Sequence, residues 1–179
     1  MKEYELRILN INKKEVIKRL EKKGAKLVHP EVLQKRYIFD FPNSRLRKLN
    51  AWIRLREIDR KKVELTFKKR GLKEDEEITL FLDNFEKAKL FLERVGLVAE
   101  SYQENKRIRY KYNDIIFDID TWPLINPYLE IESTSRKKNL DGVKLLGFNK
   151  RDAVSLAGEE LFSYYGINLR KIKELKFQK

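Results

Sequence analysis

The chain has 179 residues, 41% of them apolar, and 41 Lys and Arg against 28 Asp and Glu give a formal charge of +13, so it is long enough for one domain with a sizeable core and is drawn to anions. With no cysteine, disulfides, thiolate metal sites and a Cys nucleophile are excluded, and a single histidine, His29 beside Pro30, speaks against imidazole catalysis. The longest apolar stretches span only a few residues and the first residues carry no signal-peptide core, so the expectation is a cytoplasmic protein that does not enter a membrane.

The first element is a strand, Glu3-Tyr4-Glu5-Leu6-Arg7-Ile8, whose alternation puts Glu3, Glu5 and Arg7 on one face and Tyr4, Leu6 and Ile8 on the other. Asn12 then caps a helix over residues 13–23, with Val16 and Leu20 at helical spacing and Gly24 ending it. Strands are predicted at 25–29, 33–41, 51–58, 62–70 and 76–82, joined by short polar turns such as Asp59-Arg60-Lys61-Lys62. Asp83 or Asn84 caps a second helix that reaches Val95 through an apolar stripe of Phe85, Ala88, Phe91 and Leu92. Further strands follow near 98–112, 114–121 and 128–134, then helical segments near 137–146 and 151–165. No linker, repeat or break in charge composition divides the chain, so one domain over 1–179 is expected.

The two-faced pattern of the first strand returns in Arg54-x-Arg56, Glu64-x-x-x-Lys68, Arg107-x-Arg109, Asp118-x-Asp120 and Glu130-x-Glu132. Like charges two residues apart repel, so doublets of one sign need compensation, and a metal-bound polyphosphate carries both signs. Burying this many unpaired charges in a dry core would cost several kcal/mol apiece, so with about eight antiparallel strands the charged face is expected to enclose water and ligand. The apolar face is then left for the helices to cover.

Glu3-x-Glu5-x-Arg7 resembles the ExExK signature of the CYTH superfamily, the triphosphate tunnel metalloenzymes that include class IV adenylyl cyclases, thiamine triphosphatases and inorganic tripolyphosphatases, with Arg7 at the usual lysine position. The resemblance continues in order through the later doublets and covers nearly the whole chain as a single CYTH-like domain. It implies an α+β fold: a closed eight-stranded antiparallel β-barrel, or tunnel, with a charged lumen and helices packed outside. It further implies Mg2+ or Mn2+ held by Glu3, Glu5, Asp120, Glu130 and Glu132. Arg7, Arg54, Arg56, Lys68, Arg107 and Arg109 would hold phosphate oxygens, with Glu3, Glu5 and Arg7 closest to the chemistry and Glu64 and Asp118 behind them.

The chemistry asks for the same residue types, since Mg2+ takes hard oxygen ligands and arginine forks engage phosphate bidentately. The expected activity is metal-dependent hydrolysis of inorganic tripolyphosphate or of an organic or nucleoside triphosphate. Cyclisation of ATP to cyclic AMP and pyrophosphate is the alternative. A non-enzymatic polyphosphate- or RNA-binding module is a second, disfavoured because gathered carboxylates repel a bare nucleic-acid backbone. Ladders of ion pairs on an open, solvated sheet are the purely structural alternative. The expected partner is a small triphosphate-containing molecule and not a membrane or nucleic acid, and the oligomeric state stays open, a homodimer being one option.

Overall fold

The computed structural model describes residues 4–71, 76–156 and 158–178. Glu3, the first residue of the ExExR pattern, lies outside the described residues. The strands join in the hydrogen-bonded order β5-β4-β3-β2-β6-β7-β8-β1-β9, comprising β1 (Tyr4–Ile8), β2 (Lys26–Asp40), β3 (Ala51–Ile58), β4 (Lys62–Lys69), β5 (Glu76–Leu82), β6 (Val98–Tyr112), β7 (Ile115–Thr121), β8 (Tyr128–Ser133) and β9 (Ala153–Val154). A two-residue strand, β10 (Glu174–Leu175), adds to β6 in parallel. Of the expected α+β barrel, the large antiparallel sheet with helices is present; the described residues form ten strands with no ladder joining β5 to β9, so hydrogen bonds among them do not close the sheet.

Local signals account for most boundaries. Helix α1 (Lys13–Lys22) starts where the Asn12 side chain accepts from the Glu15 N–H, and ends before Gly24, whose φ of +77° suits a residue without a Cβ. Asn113, with φ of 50°, makes the β6–β7 hairpin turn. The chain runs through His29-Pro30 as one strand instead of the two expected, and a short helix α2 (Arg45–Lys48) follows β2. Helix α2 is seeded by Asp40, whose buried carboxylate accepts from the backbone N–H groups of Phe41, Leu46 and Arg47. The expected helix over 151–165 is also corrected. The Asp152 carboxylate folds back onto the Asn149 N–H and closes a 3-10 turn, β9 follows, and Gly158 with φ of +51° precedes α5 (Glu159–Tyr164).

The chain divides into two compact units. In the first (residues 1–32 and 106–169), Leu6, Ile8, Ile108, Phe117, Ile119, Leu129 and Ile131 form the apolar side of β1, β8, β7 and β6. Val16 and Leu20 of α1, with Val143 and Leu146 in and just after α4 (Arg136–Leu145), cover that side. Each such aliphatic burial contributes about 1.5–3 kcal/mol. Gly142 lets α4 approach closely, since a Cβ there would lie 3.0 Å from Ile131 Cγ2. Buried Asn139 donates to the Tyr4 carbonyl at 2.6 Å and bonds Ser133 Oγ, tying α4 to β1 and β8.

In the second unit (residues 33–105 and 170–179), Phe39, Leu55 and Val63 pack against Phe85, Leu92 and Leu97 in and after α3 (Phe85–Arg94). The charged faces of both units thus lie opposite their helices, as the alternation requires. Among the described residues no helix is long and apolar enough to cross a membrane.

Candidate functional site

The antiparallel register of the first unit decides which charges meet. Arg7 pairs with Glu130 and Glu5 with Glu132 across β1 and β8, Glu130 faces Asp118 on β7, and Asp118 and Asp120 face Arg109 and Arg107 on β6. Since residues two apart share a face, all eight side chains fall on the side away from α1 and α4.

The doublets whose like charges demanded compensation find it across the strands. Arg107 forks onto Asp120 at 2.9 and 2.6 Å and also reaches Asp118 and Glu130, while Arg109 forks onto Asp118 at 2.7 and 2.6 Å. Arg7 Nη2 donates to Glu5 at 2.6 Å and to Glu130, and Nη1 donates to the Leu156 carbonyl at 2.7 Å. Burial pulls the Arg7 pKa down, but Glu130 and Glu5 outweigh it and hold the guanidinium charged beyond its ordinary range. Burial opposes ionisation of Glu130 too, and there Arg107 and Arg7 prevail and lower its pKa. Asp120 moves the other way: burial, reinforced by Glu130 and Asp118, pushes it up against the pull of Arg107.

Among the described residues, one group on this face is suited to a cation. Oxygens of Glu5, Glu130 and Glu132 all lie within 4.8 Å of one another, a set of hard donors of the kind Mg2+ or Mn2+ prefers. Glu130 is buried, Glu132 half-buried and Glu5 exposed, so the group spans from the sheet to solvent. The expected metal carboxylates Glu5, Glu130 and Glu132 therefore converge from opposite ends of the sequence. Asp120, expected among them, is not in that group and instead holds Arg107. Asp118 is gripped by Arg107 and Arg109 together.

The second unit carries the remaining expected cations, Arg54, Arg56 and Lys68. Arg56 faces Glu64 across β3 and β4 and donates to it at 3.0 and 2.5 Å, while Arg54 stands opposite Thr66 and 4.0 Å from Glu77. Lys68 pairs with Glu77 at 2.6 Å. Burial raises the Glu64 pKa, yet Arg56 and Lys62 override it and hold the carboxyl down at about 2. Arg36 stands beside Arg56 in register and bonds Gln34 and Asn105, all three buried. Ion-pair ladders, the structural alternative, therefore describe Arg107–Asp120, Arg109–Asp118 and Arg56–Glu64, but not the convergence of Glu5, Glu130 and Glu132.

Sequence reasoning missed Tyr128 and Arg36. Tyr128 follows the same alternation as Glu130 and Glu132, and sits opposite Asp120 in register. The Trp122 indole, which can only donate, gives its N–H to the Tyr128 oxygen at 3.0 Å, so the phenol keeps its own proton to donate. Burial and the charges of Asp120 and Glu130 hold that phenol protonated. Arg36 belongs to Gln34-Lys35-Arg36, whose alternation continues the charged face, but no doublet of one sign marks it.

Solved structures share this fold at low sequence identity. A Vibrio parahaemolyticus protein described as a "putative adenylate cyclase" superposes with TM-score 0.81 at 14% identity, over 91% of this chain and 98% of that one. A conserved hypothetical protein from Pyrococcus furiosus gives 0.70 at 23% identity, over 86% and 95%. A Hippeastrum protein, described as a "putative adenylyl cyclase" with dominant triphosphatase activity, gives 0.65 at 19% identity, over 95% and 98%. No curated protein matches the chain. The CYTH domain model matches residues 1–155, a span that takes in the acidic group of Glu5, Glu130 and Glu132 and every arginine on the charged faces, and the chain belongs to the CYTH domain family.

Proposed function

We propose that this protein is a divalent-metal-dependent hydrolase of triphosphates, acting on inorganic tripolyphosphate or on an organic or nucleoside triphosphate. The observation that carries the reading is the convergence of Glu5, Glu130 and Glu132, three carboxylates distant in sequence and gathered within 4.8 Å. Mg2+ or Mn2+ held there would neutralise phosphate oxygens and acidify a water. The resemblance to the family gives Arg54, Arg56 and Lys68 the role of holding phosphate oxygens by charge-assisted hydrogen bonds, for which each would exchange its carboxylate partner. Glu5, the most exposed of the three carboxylates, would orient the attacking water. Attack on the terminal phosphorus breaks its bond to the bridging oxygen and releases orthophosphate and the shortened diphosphate, with charge on the leaving oxygen offset by the cations. Arg107 and Arg109, given the same role by the resemblance, fork onto Asp120 and Asp118 as Arg56 forks onto Glu64, and would likewise have to exchange those carboxylates to reach phosphate.

Cyclisation of ATP is a second reading of the same residues, favoured by the fold shared with the Vibrio protein. Incubation with tripolyphosphate, ATP or thiamine triphosphate under each metal, with products separated, tests both. Orthophosphate from any of them supports hydrolysis, pyrophosphate with cyclic AMP supports cyclisation, and no turnover of any substrate overturns both.

A further inference from the structure

We propose that Arg7 is a positioning residue that fixes the carboxylates of Glu5 and Glu130 for the cation by tying them to the backbone at Leu156, and that it does not bind phosphate. This rests on the reading that Glu5 and Glu130 hold the divalent cation. Arg7 is 6% exposed, and both its terminal nitrogens are used inside the protein. One of them, Nη2, carries two hydrogens and serves both carboxylates, so its position sets the separation between their oxygens. The other, Nη1, reaches the Leu156 carbonyl, two residues past Val154, its own cross-strand partner on β9. The planar guanidinium makes these contacts rigid with respect to one another.

A lysine at position 7 has one nitrogen, which could meet the carboxylates or the carbonyl but could not span them as a flat fork does. Leu156 is the first residue beyond the span matched by the family domain, 1–155. The second arm of Arg7 thus connects the acidic group to a segment outside that span. Partners that orient metal-holding carboxylates act through the geometry of those ligands, so the consequence falls on cation affinity and turnover and spares substrate affinity.

The test compares wild type with Arg7→Lys, measuring Mn2+ binding by calorimetry without substrate and then tripolyphosphate hydrolysis at saturating Mn2+. Arg7→Lys is expected to weaken Mn2+ binding and lower kcat by about tenfold or more, the usual scale for a residue that orients metal ligands. KM for tripolyphosphate should stay within about twofold, since no phosphate contact is lost. Unchanged or tighter Mn2+ binding overturns the proposal, as does a raised KM with Mn2+ affinity intact. Wild-type protein that binds no Mn2+ overturns the metal reading itself, which separates the two failures. Should Arg7→Lys not fold, 15N-arginine spectra of wild type decide: Arg7 guanidinium resonances that shift on adding Mg2+ alone support the proposal. Resonances that move only when tripolyphosphate is added overturn it.

Discussion

Arg107 on β6 and Asp120 on β7 face each other in register and share two parallel hydrogen bonds of 2.9 and 2.6 Å, with Asp120 fully buried. Removing one partner of a buried pair leaves the other charge uncompensated, which typically costs about 3–5 kcal/mol. Arg107→Ala is expected to destabilise the fold on that scale, because Asp118 and Glu130 lose a partner as well. Urea denaturation of Arg107→Ala, Asp120→Asn and the double variant checks it: the double variant should be less unstable than the sum. Additive losses would show that the two residues do not act as a unit.

Glu132 is the less buried probe of the acidic group, since Glu130 is buried and bound by both Arg7 and Arg107. Glu132→Gln keeps shape and hydrogen bonding while removing one ligand charge. Turnover at low Mg2+ should collapse, excess Mg2+ should recover part of it by mass action, and the melting temperature should change little. Activity insensitive to metal in both proteins would reject a metal-dependent reaction.

Arg54→Ala should weaken triphosphate affinity by about 1.5–3 kcal/mol, the scale of a hydrogen bond to a charged group, with little loss of fold stability. The ion pair it makes with Glu77 is 4.0 Å long and Glu77 is partly exposed, so that pair carries little energy. Competition binding with tripolyphosphate and thermal denaturation, run together, check the two halves. A large fall in melting temperature with unchanged affinity would make Arg54 a structural residue.

Much of this was legible in the chain because strand alternation is a strict code. Glu5, Arg7, Arg107, Asp118, Glu130 and Glu132 each fall on the face that period two assigns them, and the apolar partners Leu6, Phe117 and Ile131 fall on the other. Alternation does not contain register. The two-residue turn expected at Asn113-Asp114 does carry the pairing of Arg107 and Arg109 with Asp120 and Asp118, whereas β1 and β8, distant in sequence, have no local turn to set which of their charges meet. The segment over 151–165 misled for a different reason. Its residues suit a helix one by one, but the Asp152–Asn149 contact and the left-handed Gly158 interrupt it.

The Glu64 carboxyl supplies a pH test of the basic face. Its folded pKa is depressed from the ordinary 4.5 to about 2, against its own burial, by Arg56 and Lys62. A depressed acid contributes stability that is fully present above the unfolded pKa and is lost as pH falls through the folded one. Wild type should therefore be more stable than Glu64→Gln by a constant margin above about pH 5, and that margin should shrink steadily between about pH 4.5 and pH 2.5. Protonated Glu64 is then nearly the same group as glutamine, neutral and unable to hold Arg56 by charge. Melting temperatures of both proteins across that range check it: a margin that persists at the acid end would place the stabilisation in packing and not in the Arg56–Glu64 pair.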